Sequence, residues 1–179
     1  NRQFNPVRFV DSSGKTILAL PTRSTQQHYV NNDKPVLGKA YIKGTELVNS
    51  PMGFADKNQL SLTDFDGVIK RVIFPQLFSE NERFNLRPED RALVLRYMTM
   101  LPSESTNPHY DTAQYPDNYA KFLLFGGKAQ QIPEHISVFS KSGWAYGHII
   151  DGAYIVDLEN QIEFFITVSI FVFIKRSLS

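Results

Sequence analysis

The chain has 179 residues and a formal net charge of +1, from 19 Lys plus Arg against 18 Asp plus Glu. This length fits one domain of ordinary size, and an apolar share of 42% is enough for a hydrophobic core and argues against intrinsic disorder. The near-neutral charge gives no general electrostatic reason to bind nucleic acid or an anionic membrane. The absence of cysteine excludes disulfides, Cys-type zinc sites, iron–sulfur clusters and Cys nucleophiles.

Residues 1–54 are rich in β-forming and turn-forming residues. Two apolar runs, Val7–Val10 and Thr16–Leu20, flank a polar stretch with a glycine at position 14, which predicts a β-hairpin. Farther along, residues 40–42 and Glu46–Val48 are short extended candidates within a polar stretch. We therefore expect this segment to consist of a hairpin and surface loops.

Residues 55–102 carry two helical patterns. Ser61 followed by Asp64 matches the capping box, and the apolar residues after it recur at helical spacing. A second helix is predicted to begin at Pro88 and to end before Pro102. The residues expected to form the buried stripe of this second helix are Leu93, Val94, Tyr97 and Met98.

Residues 103–135 form a loop region with several prolines and glycines, followed by antiparallel strands over residues 136–174. The apolar run at 162–174 is shorter than the ~20 residues of a spanning helix, so it predicts buried strand and no membrane span. The expected fold class is α+β, with an antiparallel sheet packed against helices. Four aromatic side chains are predicted either to wall a ligand site or to pack half-buried: Tyr110, Tyr115, Tyr119 and Trp144.

The triplet Lys141-Ser142-Gly143 lies at the end of a predicted strand, before a polar, aromatic loop and a hairpin. This arrangement, over residues 55–172, resembles the Lys-[Ser/Thr]-Gly element of the serine β-lactamase and penicillin-binding-protein superfamily, and most closely the class A-related hydrolases. The resemblance implies a β-lactamase/transpeptidase-like fold. The alternative is a Lys-Ser-Gly turn that arises by chance.

The resemblance implies a site for an anionic acyl donor, a β-lactam or a D-Ala-D-Ala-like peptide. Lys141 would attract the substrate carboxylate, Ser142 would hydrogen-bond to it, and Gly143 would let the substrate approach the backbone. The backbone N–H of Trp144 would donate to the oxyanion, and His148 is a further candidate for the same cleft. The resemblance also implies no metal or cofactor, and a periplasmic or secreted location.

The superfamily's nucleophile motif, Ser-x-x-Lys at the start of a helix, has no good counterpart. Its one match, residues 12–15, falls in the predicted hairpin turn, and the one Ser-x-Asn match, residues 105–107, follows the helices instead of preceding them. We therefore expect the chain to be the C-terminal portion of such a hydrolase, which agrees with Asn1 as a non-initiator start. The alternative is a non-catalytic module that binds a ligand or protein through residues 103–119.

Metal binding and further partners have weak support in the sequence. The four histidines, at positions 28, 109, 135 and 148, show no close metal-ligand spacing. A half-domain leaves sheet edges and core faces uncovered, so pairing with another chain is a further expectation.

Overall fold

The computed structural model describes residues 3–26, 35–55, 57, 60–127, 131–145 and 147–171. Contacts within the chain group it into two compact units, Asn1–Pro35 and Val36–Ser179. Within the described part of the chain, no helix is long and apolar enough to cross a membrane.

The first unit consists of two antiparallel strand pairs. Strand β2 (Val7–Val10) pairs with β3 (Thr16–Leu20), and β1 (Gln3–Phe4) pairs with β4 (Arg23–Ser24). The predicted hairpin is thus confirmed.

The β2–β3 turn is organised by Asp11. Its Oδ1 accepts hydrogen bonds from the backbone N–H groups of Ser13 at 2.9 Å and Lys15 at 3.0 Å, and from the Ser13 hydroxyl at 2.6 Å. These bonds, that of the Ser13 hydroxyl foremost, lower the pKa of Asp11. The Ser-x-x-Lys match therefore forms a turn, as the sequence predicted.

The second unit opens with two small antiparallel ribbons. Strand β5 (Val36–Leu37) pairs with β8 (Met52–Gly53), and β6 (Tyr41–Lys43) pairs with β7 (Glu46–Val48). The extended pieces predicted at residues 40–42 and 46–48 correspond to the β6–β7 ribbon.

The main sheet of this unit has three long antiparallel strands: β9 (Ile136–Ala145), β10 (His148–Asp157) and β11 (Ile162–Phe171). Their order is β11-β10-β9, so β9 is an outer strand. Lys141 lies opposite Gly152, inside β9 and not at its end. The prediction that the triplet ends a strand and leads into a loop is therefore wrong, because β9 pairs with β10 as far as Ala145.

Two longer helices precede the sheet, α1 (Leu62–Ile73) and α2 (Pro88–Thr99), and a single helical turn, α3 (Phe122–Phe125), follows them, with non-helical backbone angles at Leu123 and Leu124. The Ser61 side chain caps α1 by accepting the Asp64 N–H at 3.0 Å, which confirms the predicted start of the helix. The Asp64 carboxylate accepts the Ser61 hydroxyl at 2.6 Å instead of the Ser61 backbone N–H, so the reciprocal bond of a capping box is not formed. One-turn 3₁₀ segments lie at Pro75–Leu77, Glu80–Glu82 and Pro102–Glu104.

Both faces of the sheet are covered by other parts of the chain, and we call them the helix face and the loop face. On the helix face, Tyr154 packs with Ile69 and Ile73 of α1 and with Leu95 and Met98 of α2. On the loop face, residues 101–127 and 131–132 provide the cover, and the apolar cluster there consists of Leu101, Leu123, Phe125, Ile132, Ile136, Val138, Ala153, Ile155 and Ile166. The structure thus shows the expected α+β class, with helices packed on an antiparallel sheet.

The buried side of α2 differs from the predicted stripe. Leu93, Val94 and Tyr97 are exposed, whereas Met98 packs on the sheet as predicted, together with Leu95. Arg91, one turn before Leu95, donates to the backbone carbonyls of Val72, at 2.8 Å, and of Ile73. These carbonyls end α1 without helical partners, so this contact favours the side of α2 that carries Arg91, Leu95 and Met98 as the inner one.

Candidate functional site

Lys141 and Ser142 lie on opposite sides of strand β9. Lys141 shares the helix face with Phe139, is exposed, and donates from Nζ to the backbone carbonyl of Ser142 at 2.5 Å. Ser142 is half-buried on the loop face, because side chains alternate along a strand. A single ligand that touches both side chains must therefore lie along the open edge of β9.

The other residues predicted for this site lie farther along the β9–β10 hairpin. A Cβ added at Gly143 would lie 3.0 Å from Ile150 Cγ2, so the position favours glycine. Trp144 is 75% exposed near the end of β9.

His148 lies at the start of β10 between two aromatic rings. Its ring centroid is 6.0 Å from that of Phe54 and 4.8 Å from that of Phe171. Its register partner is Ala145, whereas Lys141 pairs with Gly152, four positions along β10. At ~3.3 Å per residue, this places His148 roughly 13 Å along the strand from Lys141.

A cavity of about 540 Å³ lies beside the segment 101–120, and we call it the tyrosine cavity. Three of the four predicted aromatic residues meet there: the rings of Tyr110 and Tyr115 are 5.4 Å apart, and those of Tyr115 and Tyr119 are 4.9 Å apart, both edge to face. Trp144 does not line it. The full lining is Tyr97, Met100, Leu101, Pro102, Ser105, Asn107, Pro108, Tyr110, Tyr115, Tyr119 and Ala120, none of them charged.

A buried polar cluster on the loop face was not predicted from the sequence. Lys121 is 4% exposed and donates from Nζ to the carbonyls of Met98 and Val138, the latter at 2.9 Å. The Ser140 hydroxyl lies 3.2 Å from the same Nζ. Burial lowers the pKa of Lys121 to about 8, against the attraction of Asp151 and Glu104.

Asp151 is the carboxylate of this cluster and is 2% exposed. Its Oδ2 accepts the backbone N–H of Leu123 at 3.2 Å, while Oδ1 has no hydrogen-bond partner among the residues that the structure describes. Burial raises the pKa of Asp151, although hydrogen bonds from the backbone of Leu123 and Phe122 and the charge of Lys121 oppose the rise.

A second cavity, of about 660 Å³, borders the same cluster. Lys121 contributes to its wall, together with Arg96 and the carboxylates of Glu104, Asp117 and Glu134. Neither of the two cavities described is lined by Lys141 or Ser142.

One sequence signal could have revealed this cluster. Asp151 is an isolated charge within the apolar strand β10, and a charged residue in such a strand is rarely buried without a partner. Lys121 has no comparable local signal, because its hydrogen-bond partners lie 17 to 23 residues away along the chain.

The histidines do not converge. His135 Nδ1 lies 3.4 Å from a Glu159 carboxylate oxygen, His109 is exposed, and His28 lies outside the described residues. Over the ranges that the structure covers, no group of three or more His, Asp or Glu residues is placed to hold a metal ion.

Comparisons of the chain with protein-family models, with curated proteins and with solved structures found no match.

Proposed function

We propose that the open edge of β9 is the carboxylate-holding part of a serine hydrolase of the penicillin-recognising type. The observation that carries this proposal is the place of Lys141: it is exposed on the outer strand of an antiparallel sheet, and a hairpin partner strand follows. No carboxylate of the described chain lies within ion-pair distance of its ammonium. The cation is therefore available to an anionic ligand.

The substrate would be a β-lactam or a D-Ala-D-Ala-like peptide, whose carboxylate lies along the edge. Lys141 would approach it from the helix face and Ser142 from the loop face. A serine oxygen from a Ser-x-x-Lys element on another segment or chain would attack the substrate carbonyl, forming an ester bond while the amide C–N bond breaks and its nitrogen takes the proton. Water would then hydrolyse the ester, and the Trp144 N–H would stabilise the oxyanion in both steps.

The resemblance supports two further parts of this proposal. Enzymes of this type act outside the cytoplasm, so the location would be periplasmic or secreted. The Ser-x-x-Lys match within the described chain is a hairpin turn, so pairing with another segment or chain would complete the site.

The decisive experiment compares benzylpenicillin with its methyl ester, which lacks the carboxylate. NMR titration should show binding of the acid at least tenfold tighter than that of the ester, because a charge-assisted hydrogen bond contributes about 1.5–3 kcal/mol. Lys141→Ala should abolish this preference. The matched control is Lys70→Ala on α1, an exposed lysine that already pairs with Asp66 at 2.6 Å. Equal binding of acid and ester, or an unchanged preference in Lys141→Ala, would contradict the proposal.

The tyrosine cavity favours a second candidate, a non-catalytic module that binds a neutral, largely apolar ligand. Its volume lies within the roughly 300–1,000 Å³ of small-molecule sites, and its uncharged lining disfavours an ionic ligand. The hydroxyls of Tyr110, Tyr115 and Tyr119 have no partner within the described chain and are free to donate.

Intact mass after incubation with benzylpenicillin, together with titration of a neutral probe, indole, distinguishes the two candidates. A covalent adduct on a serine supports the hydrolase. Saturable binding of indole that is lost in Tyr115→Ala and kept in Tyr41→Ala, with no adduct, supports the module. If Tyr115→Ala binds indole as the wild type does, the tyrosine cavity is not the site.

A further inference from the structure

Asp151 and Ser142 form a cross-strand pair on the loop face. They lie directly opposite each other in the β9–β10 register, so their Cβ atoms are about 4.5–5.5 Å apart. Asp151 Oδ1 has no partner in the described chain, and a buried oxygen of this kind calls for an explanation. The Ser142 hydroxyl can reach it by rotation about χ1, since a serine hydroxyl both donates and accepts.

The other groups around Asp151 are already engaged. Lys121 faces it from the segment before α3, but its Nζ bonds to the carbonyls of Met98 and Val138 and to Ser140 on β9. The backbone N–H of Leu123 donates to Oδ2, and the backbone groups of Phe122 and Gly152 also interact with the carboxylate. On β11, the register partner of Asp151 is the apolar Val168. Ser140 lies diagonally across β9 and accepts from Lys121, so Ser142 is the polar side chain directly opposite Asp151 that is open to Oδ1.

We propose that Asp151 is a positioning residue for Ser142, and this inference rests on the proposed carboxylate site at the edge of β9. In its acid form, Asp151 donates from Oδ1 to Ser142 Oγ, and the Ser142 hydrogen is then directed to the ligand carboxylate. In its ionised form, Asp151 accepts that hydrogen, and the hydroxyl is withdrawn from the ligand. The same serine thus binds a carboxylate in one protonation state of its neighbour and not in the other.

The surroundings favour the acid form more than an exposed aspartate would. Burial raises the pKa of Asp151, while Lys121 and the backbone N–H groups oppose that rise. Glu104 acts on the cluster through Lys121, whose charge it favours. Ligand affinity should therefore fall as the pH rises through the pKa of Asp151, which burial shifts upward.

The test is the dissociation constant of benzylpenicillin, measured by NMR between pH 5 and pH 8. In the wild type, we expect affinity to fall at least threefold across this range. Asp151→Asn should remove the pH dependence and hold the affinity near the low-pH value, because an amide donates to Ser142 at every pH. Ser142→Ala should bind weakly and without pH dependence. Asp157→Asn, on the same strand, should keep the wild-type profile.

The outcomes separate this inference from the proposed function. If Asp151→Asn keeps the wild-type pH profile while Lys141→Ala still removes the preference for the acid, the role of Asp151 is overturned and the carboxylate site stands. If acid and ester bind equally, the carboxylate site fails. The pair is then tested without ligand: Ser142→Ala must shift the titration of the Asp151 Cγ resonance, and an unchanged titration overturns the inference.

Discussion

The two faces of the three-stranded sheet each carry a lysine near an aspartate, and the two sets differ in their surroundings. On the helix face, Lys70 and Asp66 of α1 form a partly exposed ion pair at 2.6 Å, and Asp66 also accepts from the Thr167 hydroxyl of β11 at 3.0 Å. On the loop face, Lys121 and Asp151 are buried, at 4% and 2% exposure, and interact through their charges without a direct bond. The first two side chains reach solvent, whereas the second two lie inside the fold.

The difference follows from what covers each face. Helices α1 and α2 cover the sheet mainly with apolar side chains, and the half-buried Arg91 bonds to the carbonyls that end α1. The described residues of the loop-face cover, 101–127 and 131–132, are largely irregular. From this cover, the Lys121 ammonium bonds to the carbonyls of Met98, near the end of α2, and of Val138 on the outer strand β9. Both covers thus bring a cation to unpaired carbonyls, but Arg91 is only half-buried, whereas Lys121 is 4% exposed.

The largest expected effect is the loss of this cation. Lys121→Met should lower the free energy of unfolding by about 4 kcal/mol, because it leaves two carbonyls without their donor and Asp151 without the nearby positive charge. Lys70→Met, the matched change on the helix face, should cost less than about 1 kcal/mol, as expected for an exposed pair. Urea denaturation of both variants measures the difference. Equal losses would show that the two pairs are energetically alike.

The second largest effect is expected when a core side chain on the helix face is truncated. Ile69 is 2% exposed and packs with Ile73 and Tyr154, so Ile69→Ala should lower the free energy of unfolding by about 3 kcal/mol. Val68 is the neighbouring control, since it is 37% exposed and its truncation should cost under about 1 kcal/mol. A comparable loss in both variants would mean that α1 does not pack through the Ile69 side.

The third prediction concerns pH. The pKa of Lys121 is about 8 in the folded chain against 10.5 for a free lysine, so between these values the unfolded chain binds more protons and stability rises with pH. The difference between the wild type and Lys121→Met should therefore grow by up to about 2 kcal/mol from pH 8 to pH 10.

The range from pH 8 to pH 10 avoids the titration of Tyr154. Burial and the bond to Glu163 raise the pKa of Tyr154 to about 12, so its titration makes the stability fall only above pH 10. Tyr154 is present in both proteins, so its contribution also cancels in the difference. Urea denaturation at each pH measures the difference in free energy of unfolding between the wild type and Lys121→Met. A difference that does not change with pH would mean that the Lys121 ammonium is exposed to solvent.

The smallest effect is expected where α1 approaches β10. A Cβ added at Gly152 would lie 2.4 Å from Ile69 Cδ1 and 2.8 Å from a Phe65 ring carbon. Gly152→Ala should therefore cost about 1–2 kcal/mol through overpacking. Thermal denaturation should show part of this loss recovered when Ile69→Val, which removes the closer atom, is added. If the double variant is less stable than the two single losses combined predict, the contact is not the cause.

Local patterns predicted much of the fold. Ser61 with Asp64 marked the start of α1, Pro88 marked the start of α2, and the apolar runs marked the hairpin and the main strands. These features depend on atoms within a few residues of each other, so the amino-acid sequence is enough to predict them. Three of the four residues of the predicted α2 stripe are exposed, and the bond from Arg91 to Val72, 19 residues away, favours another side of the helix as the inner one.

The candidate sites likewise contain some features that are local in the sequence and others that depend on the tertiary structure. The sequence placed Lys141, Ser142 and Gly143 together, because they are consecutive, and it identified the tyrosines of segment 103–119. It did not pair Ser142 with Asp151, since only the β9–β10 register brings them together.

The sequence by itself determined the α+β class, the helix starts and the strand-forming runs, because hydrogen bonding and side-chain periodicity act over short stretches of chain. The tertiary structure alone decided which lysine is buried, which aspartate oxygen lacks a partner and which tyrosines share a cavity. Those properties depend on partners as far apart as Leu123 and Asp151, 28 residues along the chain. Burial and local dielectric, which set the charge state of such groups, exist only once these segments pack.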